Sequence, residues 1–287
     1  MGIALNVDNL VKSYNGIQVL KGITFSVNQG EIFALLGING AGKTTTLECI
    51  EGIRKYDSGD ITLVGNIGVQ LQSSSLPAHI TVVEAYKLFC KWNKAKINLE
   101  LLDTFGLHEL KNKMYKDMST GQKRRLHLAL ALINNPEIVF LDEPTAGLDV
   151  EGRVSLHKEI RILKEQGKTI IMASHDMAEV ESLCDKIAII KNGEIAFIGT
   201  AQELTGKIGN RSNIYIKTLK PFNPRASINF TLEDKKQEYY IFSTFNIGEA
   251  LLDLLEAAKE DQNNVLDVRI ERETLEQSFM FIAKEAK

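Results

Sequence analysis

Cysteine is scarce in this sequence: three in 287 residues, Cys49, Cys90 and Cys184, with no CxxC or CxxxxC spacing. That excludes a disulfide framework and a thiolate zinc site, and it predicts reduced thiols in a cytoplasmic protein. An excess of positive charge is also lacking. Lys and Arg total 34 against 37 Asp and Glu, a formal net charge of −3, so the clustered basic face of a nucleic-acid binder is not expected. No apolar run approaches the roughly 18–20 residues that cross a bilayer; the stretch LALALI at 128–133 is far shorter. The opening MGIALNVDNLVKSY has no basic stretch followed by an apolar one, so no signal peptide is expected. Internal repeats and low-complexity segments are absent as well. What is present is ordinary for a globular protein, 44% hydrophobic and 25% charged, in a length that suits one large domain and a small second one.

The order of segments predicts an α/β fold. Two β-rich stretches near 3–12 and 17–28 flank Asn15-Gly16, a two-residue hairpin signal. EIFALLG (31–37) reads as a buried strand, followed by a glycine-rich turn and the helical KTTTLECIEGI. After strand-like ITLVG and NIGVQL, the stretch from about 80 to 117 reads as mostly helical. EIVFLD (137–142) and KTIIMAS (168–174) are further buried strands around an amphipathic helix near 150–166, and KIAIIKNGEIAFIG (186–199) reads as a hairpin turning at Asn192-Gly193. Strands alternating with helices argue for a parallel sheet. The polar KIGNRSN at 207–213 marks a boundary, beyond which strands are expected near 212–218, 226–232, 238–244 and 264–271. Helices are expected at 246–259 and after Thr274-x-x-Gln277, a capping-box pattern that places Leu275, Phe279 and Ile282 on one face.

GINGAGKT (37–44) matches GxxxxGK[ST] in full and lies between a buried strand and a helix. Gly37, Asn39, Gly40, Ala41 and Gly42 let the backbone wrap a phosphate chain, with the N–H groups of Lys43, Thr44 and Thr45 opening the helix toward it. Lys43 would hold the β- and γ-phosphates and the Thr44 hydroxyl would ligate Mg²⁺. IVFLDEP (138–144) delivers Asp142 and Glu143 at the carboxyl end of a strand, the edge where doubly wound sheets bind ligands. Asp142 would hold Mg²⁺ through water, and Glu143 would orient and deprotonate the attacking water. Read alone, the acids could equally end a strand in a solvated turn; the upstream phosphate loop decides for the site.

With STGQ (119–122), LDEPTAGLD (141–149) and Ser174-His175 downstream of GINGAGKT, the chain resembles the ATP-binding cassette family in order and spacing from its first strands to about residue 205. The resemblance implies a RecA-like core with an antiparallel β-subdomain and a helical subdomain, bound to ATP and Mg²⁺. It places the nucleotide-binding domain at 1–210, its helical subdomain at about 73–135, and a small α+β domain at 211–287, with dimerisation or regulation as expected roles. It also implies a head-to-tail dimer, identical or closely related in its halves, that sandwiches two ATP molecules. Tyr14 falls where an aromatic stacks on adenine, with a strand tyrosine packed on the sheet as the lesser alternative. Gln72, with Gln70 as the alternative, falls where a glutamine senses Mg²⁺ and the attacking water. Asp149 fits the loop that crosses the dimer, and His175 the histidine that contacts the γ-phosphate. His79, His108, His127 and His157 match no motif and read as structural.

Ser119 suits the N-cap of the helix GQKRRLHLALALI, and with Gly121 and Gln122 it would present a helix N-terminus to the partner's γ-phosphate. Thr120 departs from the common SGGQ form and adds bulk beside that phosphate without removing the cap. Lys123, Arg124 and Arg125 could add positive potential, with a solvated helix face expected for at least two of them. A separately encoded permease is expected to dock on 73–117, leaving the chain peripheral at the cytoplasmic face of the membrane. Phe89 and Trp92 are candidate contacts, and a core position is the favoured reading of Trp92. The short segment before Gln72 and the α+β tail look like the multidrug, antibiotic and bacteriocin export branch, although methionine-type importers also append a small domain. A soluble cassette ATPase in translation, repair or assembly is the other class; the paired cassettes or zinc-bearing insertions of such proteins are not seen in the sequence.

Overall fold

Asn15 (φ 49°) and Gly16 (φ 82°) both take the left-handed backbone that a two-residue hairpin demands. They join β1 (Ile3–Tyr14) to β2 (Ile17–Asn28) in an antiparallel pair. The computed structural model describes residues 2–70, 76–207, 212–225, 227–236, 238–272 and 274–284. Next come β3 (Ile32–Leu36), α1 (Lys43–Ile50), β4 (Ser58–Leu63) and β5 (Ile67–Gln70). The helical stretch expected over about 80–117 is broken: α2 (Val82–Trp92) and α3 (Glu100–Thr104) are followed by single turns at His108–Leu110 and Tyr115–Asp117. Then follow α4 (Thr120–Ala131), β6 (Ile138–Asp142), α5 (Val150–Glu165), β7 (Thr169–Ala173), α6 (Met177–Leu183), β8 (Lys186–Lys191), β9 (Glu194–Gly199) and α7 (Ala201–Lys207).

Two sheets share one core. β4 pairs with the free edge of β1 to give the order β2-β1-β4, and the second sheet runs β5-β6-β7-β3-β8-β9. Its neighbours are parallel except β9, which returns through Asn192-Gly193 as a hairpin. Every residue of β3, β6 and β7 is buried, as expected of strands covered on both faces. Leu5, Val7, Phe25, Phe33, Phe140 and Ile171 belong to the core between the sheets, with Phe25 and Phe33 stacked 5.2 Å apart. The consequence for function lies in the register. Asp142 pairs with Ala173, and Ala173 with Leu35. The loops that follow β6, β7 and β3 therefore leave three adjacent strands at one level.

Trp92 is 66% exposed, which corrects the expected core position. It is the last residue of α2, and its ring rests on Phe89 at 5.2 Å with the rest of its surface in solvent. Among the described residues no helix is long and apolar enough to cross a membrane.

The chain forms two compact units, Met1–Ala201 and Gln202–Lys287. The second holds β10 (Ser212–Thr218), β11 (Thr231–Lys236), β12 (Tyr239–Thr244), α8 (Ile247–Glu260), β13 (Val265–Arg272) and α9 (Leu275–Lys284). Its sheet order is β11-β12-β10-β13, and Ile214, Ile216, Phe222, Phe242 and Leu254 form its core. The strand expected at 226–232 begins only at Thr231. Ser227 and Asn229 are instead held by Asp253 at 2.5 and 2.9 Å, and the Asn229 carbonyl accepts from Thr244. Thr274 and Gln277 form the expected capping box, and Leu275 and Phe279 are buried.

Candidate functional site

The loop after β3 is shaped by glycine where nothing else fits. A Cβ on Gly37 would lie 2.6 Å from the Ile190 carbonyl, and one on Gly42 (φ 114°) 2.7 Å from Leu20 Cδ2. Gly42 is the N-cap of α1 and offers no side-chain cap, so the first N–H groups of the helix, on Lys43, Thr44 and Thr45, are left for an anion. Lys43 is buried, and its Nζ donates to the Gly37 and Ile38 carbonyls at 2.7 and 3.3 Å. Burial lowers its pKa, while Glu143 and Asp142 act in the opposite direction. Thr44 is exposed at the mouth of the loop.

Asp142 ends β6. Burial, then the neighbouring Glu143, push its carboxyl up to about 6, against Lys43 and Arg124. Two acids so placed beside one lysine suit a divalent cation, which would favour the ionised form. Magnesium needs few protein ligands and keeps its waters and phosphate oxygens. The Thr44 hydroxyl and Asp142 fit that donor set, and among the described residues no group of three His, Cys, Asp or Glu offers a fuller cage. Glu143 has a positive φ of 50°, uncommon for a residue with a side chain. Its N–H donates to the Ala173 carbonyl at 3.0 Å, fixing the turn to β7. Its Oε2 meets His175 Nδ1 at 2.5 Å. The structure thus brings together Lys43, Asp142, Glu143 and His175. Gln72 lies outside the described residues. Gln70 is buried beside Leu141, and its amide atoms find no partner among the described residues.

Tyr14 ends β1, half-buried, with Lys12 and Arg54 each 5.3 Å from its ring centroid. Ser119 is the N-cap of α4 in a reciprocal capping box. Its Oγ accepts the Gln122 N–H at 3.2 Å, and Gln122 Oε1 accepts the Ser119 N–H at 3.1 Å. Asp149 caps α5 through the Gly152 N–H at 2.8 Å. Ser119, Gly121, Gln122 and Asp149 line one cavity of about 580 Å³ into which Lys43, Asp142, Glu143 and His175 do not enter. A Cβ on Gly121 would meet only Leu148 at 3.9 Å, so that glycine opens the helix toward the cavity. The three basic residues after Gln122 are not a solvated face. Lys123 lies over the Tyr115 ring at 4.9 Å, and Arg125 donates to the Phe105 carbonyl at 3.1 Å. Arg124, half-buried, lies within the electrostatic reach of Asp142 and Glu143.

Two further buried groups matter here, and the first fits its reading as a structural histidine. The buried His127 meets the Tyr115 hydroxyl at 3.0 Å. Burial, then Arg124 and Lys123, hold its pKa down at about 4 against an ordinary 6.5. The fold keeps it neutral, so its contribution is complete above 6.5 and is lost as pH falls toward 4. That contribution is about 3 kcal/mol. Chemical unfolding at about pH 7 and about pH 4.5 should show a smaller acid loss for His127→Gln than for the wild type; equal losses would refute the assignment. The second group is Glu179, buried behind His175, which no motif marks.

Residues 20–146 match the family model described as ABC transporter. The linearmycin resistance ATP-binding protein LnrL of Bacillus subtilis is 32% identical, covering 96% of this chain and 97% of that protein. Nod factor export ATP-binding protein I of Ralstonia nicotianae is 37% identical over 71% of this chain and 70% of its own. The spermidine/putrescine import ATP-binding protein PotA of Spiroplasma citri is 36% identical over 70% of this chain and 62% of its own. A solved structure of an ATP-binding subunit of an ABC transporter superposes with a TM-score of 0.64 at 26% identity, covering 71% of this chain and 93% of that one.

Proposed function

We propose that this chain, which belongs to the ABC transporter ATP-binding proteins and hydrolyses ATP as a subunit of such a transporter, powers export of a drug, antibiotic or peptide through a separate permease. Support for export comes from the Nod factor export relative, together with a resistance protein whose similarity extends through the second unit. The import relative and the Nod factor export relative cover similar shares of this chain, 70% and 71%, so the resistance protein, covering 96%, carries the distinction. A dimerising or regulatory role is proposed for 211–287.

The division of the site carries the mechanism. Lys43, Asp142, Glu143 and His175 gather at the strand ends, whereas Ser119 and Asp149 line a separate cavity. A γ-phosphate held by Lys43 and the N–H groups of α1 in one chain would be completed by the α4 N-terminus of a second chain, which draws the two together. Tyr14 would stack on adenine. Thr44, Asp142 and Gln72 would hold Mg²⁺, which supplies charge neutralisation on the β- and γ-phosphates. Glu143 accepts the proton of the attacking water, and His175, against its carboxylate, holds that water and the γ-phosphate in line. Catalysis is then positioning and electrostatics. Loss of the γ-phosphate removes the bridge, and the pair opens. The permease is proposed to read this motion through the helical region 73–117, where exposed Trp92 and its neighbour Phe89 are candidate contacts. With that permease, the chain is proposed to lie peripherally at the cytoplasmic face of the membrane.

The test is to tag the chain in its own cell, extract membranes in mild detergent and identify what copurifies. A multi-span hydrophobic polypeptide is the expected partner. Recovery with soluble cytosolic complexes alone would overturn the transport reading and favour an ATPase acting in translation, repair or assembly.

A further inference from the structure

The His175 side chain is 71% exposed and is held at Nδ1 by Glu143, so apart from that contact its placement depends on the backbone that carries it. That backbone is held from behind on both sides. Ser174, almost fully buried, accepts the Asp176 N–H at 3.1 Å and donates its hydroxyl to Glu179 Oε2 at 2.6 Å. Asp176 caps α6 by accepting the Ala178 and Glu179 N–H groups at 3.1 Å each, and Arg153 Nη1 pairs with its other oxygen at 2.8 Å. Burial raises the Glu179 pKa, while the Ser174 hydroxyl and the side chain of Thr145, two residues beyond Glu143, act to lower it. Glu179 is 1% exposed, and a carboxyl group so buried is costly unless its partners require it. Its surroundings are built for it in another respect. His157 of α5 brings Nε2 to within 3.4 Å of Glu179 Oε1, yet neither atom has a hydrogen-bond partner among the described residues.

We infer that Glu179 is a positioning residue for ATP hydrolysis, whose buried carboxylate fixes the turn that holds His175 against Glu143. The inference rests on the roles proposed above for those two residues. The Glu179 carboxylate accepts the Ser174 hydroxyl, which an apolar side chain of the same size cannot do. Glutamine can, because serine and threonine hydroxyls rotate to accept from its amide or donate to its oxygen. The unfinished contact to His157 extends the device to α5, the helix that Asp149 caps. A small shift of α5 toward α6 would complete that hydrogen bond, so the seat of His175 is tied to the helix behind the cavity lined by Ser119.

The experiment is a double-mutant cycle on steady-state ATP hydrolysis. Glu179→Leu is expected to lower kcat by about 10- to 100-fold with KM for ATP within about three-fold, and Glu179→Gln to stay within about three-fold of wild type. In a His175→Ala background, Glu179→Leu should add less than about two-fold, because the group it positions is gone. Losses that multiply in the double variant, or a KM that rises as far as kcat falls, overturn the inference and leave the role of His175 standing. Full turnover by His175→Ala alone would overturn both. If Glu179→Leu does not fold, Ser174→Ala removes the same contact from the other side and enters the same cycle with the same two outcomes.

Discussion

Replacing Glu143 with glutamine is expected to lower ATP turnover by about 100- to 1,000-fold while leaving ATP affinity within about two-fold. The substitution keeps the shape of a side chain that is 12% exposed and can still meet His175, whose Nδ1 lies 2.5 Å from Oε2. It removes only the ability to take a proton from water. The positive φ of Glu143 and its N–H bond to Ala173 belong to the backbone and survive the change, so the neighbouring Asp142 keeps its place at the end of β6. Phosphate release over a single turnover, set beside equilibrium binding of a fluorescent ATP analogue, separates chemistry from binding. Turnover near the wild-type rate would mean that another group serves as the base.

Lys43→Ala should act on the other half of the problem and weaken ATP binding by about 100-fold. In this structure Lys43 is buried and satisfied by two loop carbonyls, so its charge is kept inside at a cost that burial makes plain. A ligand phosphate is the partner that repays such a group, and without it Asp142 and Glu143 would repel the phosphates unopposed. Thermal unfolding reads this directly. At ATP about 100-fold above the wild-type Kd, the wild type gains about 2.7 kcal/mol and the variant about 0.4 kcal/mol. The fold itself should tolerate the change, because burial already pushes Asp142, which loses a neighbouring cation, up to about 6 and toward its neutral form. An equal ATP-induced shift in both proteins would remove Lys43 from the phosphate site.

The parts of this molecule that are local in sequence were legible there. Asn15-Gly16 and Asn192-Gly193 specify hairpins because both positions need positive φ, and Ser119 announces a cap because Gln122 stands three residues on. Apolar runs such as IVFL (138–141) read as buried strands because no polar side chain interrupts them. What was illegible depends on contacts between distant segments. Trp92 is apolar and sits on an amphipathic helix, but only the end of α2 reveals that it points to solvent. The basic run after Gln122 looks like a solvated face until Tyr115, Phe105 and the acids across the site claim its members. Glu179 is an unremarkable acid in a helix of the sequence, and only folding places it beneath Ser174. The start of β11 was misread because Asp253, about twenty-five residues downstream, holds Ser227 and Asn229 out of the ladder.

The proposed two-chain site is tested most directly by the mass of the Glu143→Gln protein in solution, measured by light scattering with and without ATP and Mg²⁺. The mass should double with ATP and Mg²⁺, stay that of one chain with ADP, and fail to double when Ser119→Arg is added. A Glu143→Gln protein that binds ATP yet keeps the mass of a single chain would contradict the sandwich of Lys43 from one chain and Ser119 from another.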